Sequence, residues 1–370
     1  MSHLYLDIPS PFARIPDVFK NVTASYKYYW FLSLLDLYAK EGQEEFPLER
    51  ILVKMVAKAW QPLRYFYLTF GPSDSFSKVI SGVLAHYNIA DDATPAMIER
   101  KLYGENGVRE GVWPHLKVLQ QNVPYRFLSP WLKTSDNALA ARLSQNFTNG
   151  CPYALLSDGK GWMVQVNPQW FHYLQQNYQV LTDFTQLQLI NFIQRYNPMV
   201  PMLSQKLEIK PKDKLANNRI QFWQNYLESE GAVSCPFTHR PLDASHFSIA
   251  NYLPWSYFPS DVCWNMMPVD ASVEQIKGNR LLNSDGYFSI FCKKQQDALR
   301  LNWEMEKGFE GKDSIVLQQY TMLGQEVEVL VHLSSRDFEQ LMARSFTPME
   351  QMARNMGYQT WNPNPALRCS

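Results

Sequence analysis

Apolar residues along this chain recur mainly with the period of an α-helix. Between 23 and 40 they occupy nearly every helical face, and Asp36 is the single acid, which predicts a helix buried on several sides. A second helix begins near Pro47, with Glu49 in its first turn, and continues until Pro62 ends it. Capping residues, initial prolines and terminal glycines predict further helices over 73–86, 94–104, 169–177, 182–196, 215–229, 287–307, 314–331 and 337–356.

Two segments depart from the helical pattern in the first half of the chain. The run VPYRFLSPW over 123–131 holds two prolines, so we expect it to be extended and packed across the helices. YALLS, the dipeptide Asp158-Gly159 and GWMVQV predict a β-hairpin over 153–166. The reason is that Asp-Gly supplies the positive φ values that a tight turn requires.

A polar, proline-broken stretch predicts the domain boundary. It contains Pro198 and Pro201, followed by lysines at 206, 210, 212 and 214. We therefore expect a helical N-terminal domain over 1–205 and a second domain over 206–370. The tail from Gln359 holds two more prolines and is predicted to be loose.

The composition is that of a densely packed and electrically neutral protein. Apolar residues make up 46% and aromatic residues 14% of the 370 residues, which excludes a disordered chain. Lysine plus arginine and aspartate plus glutamate both number 35, so the charge excess of a processive nucleic-acid binder is missing and only a local basic face stays open. The chain has no P-loop and no Gly-x-Gly-x-x-Gly or Gly-x-Ser-x-Gly motif.

Cysteine use and the N-terminal sequence predict a cytoplasmic protein. The five cysteines are far apart and form no Cys-x-x-Cys pair, which favours reduced, buried thiols over a disulfide framework or a zinc ribbon. No signal peptide is visible near the N-terminus, and no run of about 18 apolar residues could span a bilayer. We expect no membrane partner.

The most informative stretch is 235–282. It contains a cysteine turn, the segment Leu-Pro-Trp-Ser over 253–256, the segment Trp-Asn-x-x-Pro over 264–268 and a helix start before Lys277. In this order the residues resemble the ββα-metal finger of bacterial HNH endonucleases. The Tyr-rich first helix and VPYRFLSPW are similar to the helical part of bacterial proteins that carry such a finger near the C-terminus. The resemblance implies a mainly α (α+β) fold: a helical N-terminal domain with a short β-hairpin, then a degenerate HNH finger and C-terminal helices.

The resemblance also assigns the positions of the site. Intact relatives carry an Asp-His pair directly before a segment of an aromatic or aliphatic residue and Pro-Trp-Ser, where this sequence has Asn251 and Tyr252 before Leu253. Asn265 matches the asparagine that orients the catalytic loop, and Glu274 stands at the third signature position. An amide is a weaker ligand for a hard divalent ion than a carboxylate, and a phenol with a pKa of about 10 is a poor base at neutral pH. The pattern indicates a finger that keeps the apolar and turn residues of its fold but lacks the residues needed for catalysis.

Two further features bear on metal chemistry. Thr238 stands where the second thiolate of the cysteine turn at Cys235 is expected, so structural zinc is improbable. His246 is the candidate for a replacement base if the first strand slips or bends near Ser248, and the alternative is an ordinary turn histidine. We expect no cofactor, and Mg²⁺ or Mn²⁺ only if the protein is a nuclease.

Four cationic residues near the finger are candidate DNA contacts: Lys277, Arg280, Lys293 and Lys294. A solvated surface without a ligand is the alternative, because acids dilute the same region. Three functions follow. The favoured one is a non-catalytic pseudo-nuclease subunit that acts as scaffold or binding partner of an effector enzyme from the same operon, in a prokaryotic anti-phage defence system. The others are a divergent metal-dependent HNH DNA endonuclease, with Asn251, Asn265, Glu274 and His246 as atypical site residues, and a DNA-binding subunit that does not cut.

Overall fold

The computed structural model describes residues 10–157, 159, 161–208, 217–231, 233–306 and 314–363. Over these ranges the protein is mainly helical with small β-sheets, as predicted. The chain divides into two compact units, Met1–Ile209 (unit 1) and Lys210–Ser370 (unit 2). Among the helices of these ranges, none combines the length and the apolar character that a bilayer crossing requires.

Unit 1 is a helical body with a three-stranded and a two-stranded antiparallel sheet. Its helices are α1 (Ile15–Val18), α2 (Tyr26–Leu35), α3 (Leu48–Arg64), α4 (Phe76–Leu84), α5 (Pro95–Leu102), α6 (Trp113–Gln120), α7 (Val123–Arg126), α8 (Ser129–Leu132), α9 (Asn137–Ser144), α10 (Pro168–Gln176), α11 (Tyr178–Gln194) and α12 (Leu203–Leu207). Its strands are β1 (Glu45–Pro47), β2 (Tyr103–Gly104), β3 (Gly107–Val108), β4 (Tyr153–Ser157) and β5 (Trp162–Val166).

Helix α2 lies in the core of unit 1. Every side chain from Tyr28 to Leu35 is buried, and the helix packs against α3 and α11. The chain then continues as a π-helical turn, Asp36–Lys40, in which the Asp36 carboxylate contacts the Lys58 ammonium at 2.6 Å. The buried helix expected over 23–40 is confirmed, because its residues are apolar on every face that the neighbouring helices cover.

Prolines account for two errors in the predicted elements. Helix α3 does not end before Pro62 but continues to Arg64, since a proline in the last turn removes only one intrahelical hydrogen bond. The segment 123–131 is not extended and instead forms α7 and α8, in which Pro124 and Pro130 occupy first-turn positions. A backbone N–H at such a position has no intrahelical partner, so proline is tolerated there.

The predicted hairpin over 153–166 is confirmed as part of a larger sheet. Strand β4 pairs with β5 from Tyr153 opposite Val166 to Ser157 opposite Trp162. Gly159 has a φ of +81°, and Asp158 lies outside the described residues. Strand β1 pairs with the other edge of β5, which the sequence did not predict because three residues are too few to show alternation.

Unit 2 holds a helical frame and two small sheets. Its helices are α13 (Asn217–Glu230), α14 (Ala271–Lys277), α15 (Phe288–Glu306), α16 (Ile315–Gln318), α17 (Val327–His332) and α18 (Ser335–Asn355). Its strands are β6 (Ser248–Asn251), β7 (Met266–Val269), β8 (Leu281–Leu282) and β9 (Thr360–Trp361).

Helix α15 is the central element of unit 2, because it packs against both α13 and α18. The tail from Gln359 was predicted to be loose. This prediction is wrong for its first residues, because β9 pairs in parallel with β8. Trp361 is buried, and its ring lies 5.2 Å from that of Phe237, measured between centroids. Burial of this indole anchors the end of the described chain to the 235–282 segment.

Candidate functional site

A two-stranded ribbon followed by a helix organises the 235–282 segment. Strands β6 and β7 pair antiparallel from Ser248 opposite Val269 to Asn251 opposite Met266. Helix α14 follows β7 and packs against β6. Asp270 caps the helix by accepting a hydrogen bond from the Ser272 backbone N–H at 3.0 Å. The order strand, strand, helix is the one that the HNH resemblance implies, although element order alone does not define a family.

The side chain of Asn265 holds the start of the loop between the two strands. Its Oδ1 accepts from the Leu253 backbone N–H at 2.8 Å, and its Nδ2 donates to the Leu253 carbonyl at 3.1 Å. The Asn265 carbonyl also accepts from the Tyr252 N–H at 2.7 Å. Asn265 is fully buried, so these bonds are shielded from water. The side chain therefore fixes the backbone where β6 leads into the loop.

Helix α15 supports the other end of this loop. Gln295 is buried and its Nε2 donates to the carbonyls of Cys263 (3.1 Å) and Met266. The Tyr320 hydroxyl in turn donates to Gln295 Oε1 at 2.6 Å. All these polar groups are paired within the core, which sets the position of the chain as it enters β7.

A cleft of about 410 Å³ opens beside the ribbon, and its lining includes the amide of Asn251 and the carboxylates of Asp261 and Glu274. Asn251 lies at the end of β6, Asp261 in the loop and Glu274 on α14. Asn251 and Glu274 were predicted site residues, and the structure places both at this cleft. Asp261 was missed, and its only sequence signal is an acid shortly before the Trp-Asn pair at 264–265. Amide and carboxylate oxygens are the ligands that Mg²⁺ and Mn²⁺ prefer.

Tyr252 faces away from this cleft. Consecutive residues of an extended chain point to opposite sides, so Asn251 reaches the cleft while Tyr252 enters the core. Its ring stacks on Phe291 at 4.4 Å and meets Phe346 edge-on at 5.2 Å, between centroids. Burial, followed by the Glu350 carboxylate, raises the pKa of Tyr252 well above its usual value. The phenol of Tyr252 thus has neither the access nor the pKa of a base.

His246 lies on an exposed turn and not in the cleft lining. Its side chain is 87% exposed, and its backbone N–H donates to the Asp243 carbonyl at 2.9 Å. The ring nitrogen Nδ1 lies 2.8 Å from the Ser245 hydroxyl. This is the turn histidine that the sequence offered as the alternative to a replacement base.

The turn at Cys235 is closed by hydrogen bonds of its own backbone and of the Thr238 hydroxyl. The Cys235 N–H donates to the Arg240 carbonyl at 2.8 Å, and the His239 N–H donates to the Cys235 carbonyl at 2.9 Å. The Thr238 hydroxyl accepts from the Arg240 N–H at 3.4 Å. His239 has a φ of +60°, the left-handed region that favours glycine. Across the described ranges, no three His, Cys, Asp or Glu side chains are grouped to hold a metal ion.

The four predicted DNA contacts do not form one exposed face. Lys277 is only 4% exposed, and burial together with the positive charge of Arg280 lowers the pKa of Lys277 to about 7. The Arg280 guanidinium donates to the carbonyls of Lys277 and Ile276. Lys294 donates to the Ser234 carbonyl at 3.3 Å, while Lys293 is exposed.

Of the five basic residues between 206 and 219, the structure describes Lys206 and Arg219. Lys206 is buried in α12 of unit 1. Lysines 210, 212 and 214 lie outside the described residues. Arg219 donates to the Asp261 backbone carbonyl and so supports the loop of the cleft.

Searches of known protein families, curated proteins and solved structures returned no match to this chain. The function must therefore be inferred from the residues of the cleft and their surroundings.

Proposed function

We propose that unit 2 contains an HNH-like finger without a catalytic base, and that the protein is the non-catalytic subunit of an effector enzyme encoded in the same operon. A cytoplasmic anti-phage defence system of a prokaryote is the setting that the HNH resemblance suggests. The observation that carries the proposal is the orientation of Tyr252, whose ring is stacked on Phe291 inside the core. An HNH reaction needs an imidazole at the cleft to deprotonate water.

The cleft offers no replacement for that imidazole among its described lining residues. His246 is solvent-exposed on its turn, and no other histidine lines the cleft within the described ranges. The bonds that Asn265 and Gln295 make to the loop backbone nonetheless keep the ribbon and loop in one conformation. A retained scaffold without a base supports a role in binding rather than in catalysis.

A protein partner is supported by apolar side chains that unit 2 leaves exposed. Ile315 is 71% exposed, Met322 63% and Val329 45%, all within the segment 315–332. Isolated exposed apolar residues are common, but three within one short segment are suitable anchors for an interface. The neutral net charge of the chain agrees with a protein partner better than with a polyanion.

The test is affinity purification of the tagged full-length protein expressed with its neighbouring genes, followed by metal analysis and a plasmid-nicking assay in Mg²⁺, Mn²⁺ and Zn²⁺. We expect one neighbouring gene product at a fixed ratio and no nicking by the purified protein alone. Ile315→Glu combined with Met322→Glu should release the partner. Val180→Glu, at an equally exposed apolar residue of unit 1, should retain it. Partner capture that is unaffected by the double change would reject this segment as the interface.

A second candidate, a divergent metal-dependent DNA endonuclease, is favoured by the two carboxylates and the Asn251 amide that line one cleft. Asn251, Asp261 and Glu274 would hold the divalent ion through oxygen atoms. This function predicts nicking that Asp261→Asn and Glu274→Gln abolish while Glu228→Gln, an exposed acid on α13, leaves it intact. Such a result would overturn the non-catalytic proposal. Retention on duplex DNA that falls with salt and occurs without nicking would instead favour the non-cutting DNA-binding subunit.

A further inference from the structure

A second cleft, in unit 1, concentrates positive charge and lies far in sequence from the finger. It measures about 320 Å³ and forms where residues 21–27 meet α7. Lys27 of α2 and Arg126 of α7 both line it, together with the hydroxyl-bearing residues Thr23 and Ser73. Among the described residues, no carboxylate takes part in its lining.

The two cations in this cleft are close enough to repel each other. Lys27 is half-buried, and its ammonium donates to the Val18 carbonyl at 2.9 Å, which leaves other N–H groups of the same ammonium to bond elsewhere. Burial lowers the pKa of Lys27, and the Arg126 guanidinium lowers it further. An anion bound between the two side chains would remove this repulsion.

The acid nearest in sequence to the lining residues does not neutralise them. Asp74 accepts hydrogen bonds from the Ser25 N–H (2.9 Å), the Ser25 hydroxyl (2.6 Å) and the Phe76 N–H (2.9 Å). Its carboxylate is thereby committed to the starts of α2 and α4 and does not line the cleft. Within the part of the chain that the structure describes, no carboxylate at the cleft pairs with the two cations, so an external anion can bind them.

We infer that this cleft binds the phosphate group of a small phosphate monoester. A monoester carries close to two negative charges at neutral pH, which matches the charges of Lys27 and Arg126. Its oxygens also accept hydrogen bonds from hydroxyls such as those of Thr23 and Ser73. A volume of about 320 Å³ suits a phosphate with a small organic group, and Val22 and Val123 provide apolar walls for that group. A phosphodiester carries only one negative charge, so it matches the two cations of this cleft less well.

Calorimetric titration of the full-length protein with inorganic phosphate and with phenyl phosphate tests the inference. We expect saturable binding at one site. Arg126→Gln and Lys27→Met should each weaken it by about tenfold or more, as the loss of one charge-assisted hydrogen bond predicts. Lys78→Gln, at an exposed cation of α4 that does not line the cleft, should bind as the wild type does. Thr23→Val adds a variant that keeps both cations and should bind more weakly.

Several outcomes would overturn the inference. The first is the absence of saturable binding, and the second is a loss of affinity in Lys78→Gln as large as that in Arg126→Gln. The third is an affinity for acetate equal to that for phenyl phosphate, which would show unspecific attraction of anions. Dimethyl phosphate and a short DNA duplex serve as diester probes. If either displaces phenyl phosphate efficiently, the cleft binds a phosphodiester chain and the monoester assignment is wrong. Because unit 1 does not contain the finger, this result is independent of the nuclease assays on unit 2.

Discussion

Replacement of Tyr252 by alanine tests whether this side chain belongs to the core or to the cleft. The side chain is 1% exposed and packs among the rings of Phe291, Phe346 and Phe288. Truncation would leave a cavity of aromatic size between α15 and α18. Substitutions of this kind destabilise folded proteins by about 3–5 kcal/mol, through lost burial and incomplete collapse of the cavity.

The effect can be measured by urea denaturation followed by tryptophan fluorescence and circular dichroism. With a slope of about 2 kcal/mol per M urea, a loss of about 3–5 kcal/mol lowers the midpoint of the unit 2 transition by about 1.5–2.5 M. Asn251→Ala is the matched control, because its half-buried side chain lines the cleft and its loss should cost less than about 1 kcal/mol. Similar midpoints for Tyr252→Ala and the wild type would refute the assigned orientation of this side chain.

The same orientation predicts the outcome of introducing the Asp-His pair that the HNH resemblance implies at positions 251 and 252. Tyr252→His combined with Asn251→Asp should not produce nicking, because an imidazole at position 252 would face the aromatic core. The Asp at position 251 would add a carboxylate to the cleft beside Asp261 and Glu274, so divalent-ion binding should strengthen. Nicking by the double variant, measured on supercoiled plasmid, would show that the chain can turn position 252 into the cleft.

Three further predictions concern residues that support the 235–282 segment. Asn265→Ala removes both side-chain hydrogen bonds to Leu253 and leaves the buried groups of that backbone unpaired, so the unfolding free energy should fall by about 2–4 kcal/mol, checked by urea denaturation. Burial lowers the pKa of Lys277 to about 7 from its ordinary value of 10.5, so the native state releases this proton before the unfolded chain does, and stability should rise as pH increases between these values. Lys277→Met should remove that rise in urea midpoints collected from pH 6 to 10, whereas Lys293→Met, at an exposed site, should keep it. His239→Gly relieves a left-handed φ at an exposed position and should raise the stability of unit 2 by about 0.5–1 kcal/mol in thermal melting; a decrease would contradict the strained geometry.

Much of the secondary structure could be predicted because its signals are local. The apolar run of α2, the proline and acid at the start of α3 and the Asp-Gly hairpin each depend on residues close together in sequence. The errors at the end of α3 and over 123–131 arose because a proline can occupy two different kinds of position in a helix. A proline ends a helix from its interior but fits its first turn, and only the packed structure shows that Pro124 and Pro130 begin α7 and α8.

The candidate site was likewise only partly predictable from the sequence. The sequence identified Asn251 and Glu274 from their positions relative to the Pro-Trp-Ser and Trp-Asn segments, and both reach the cleft. Asp261 could not be identified, because an acid in a loop has no spacing signal and its approach to Glu274 depends on how the loop folds back between β6 and β7. The cleft of unit 1 that Lys27 and Arg126 line was likewise not predictable, since these two residues are about a hundred residues apart in sequence.

The sequence by itself determined that this chain forms a neutral, aromatic-rich and mainly helical protein with a hairpin near residue 160, because composition, periodicity and turn residues act locally. Tertiary structure alone decided which side of the ribbon each residue faces. A shift of one residue along an extended strand exchanges core and solvent, so the adjacent residues Asn251 and Tyr252 have opposite environments. The burial of Lys277 and the exposure of His246 also depend on contacts between distant segments, which no local pattern specifies.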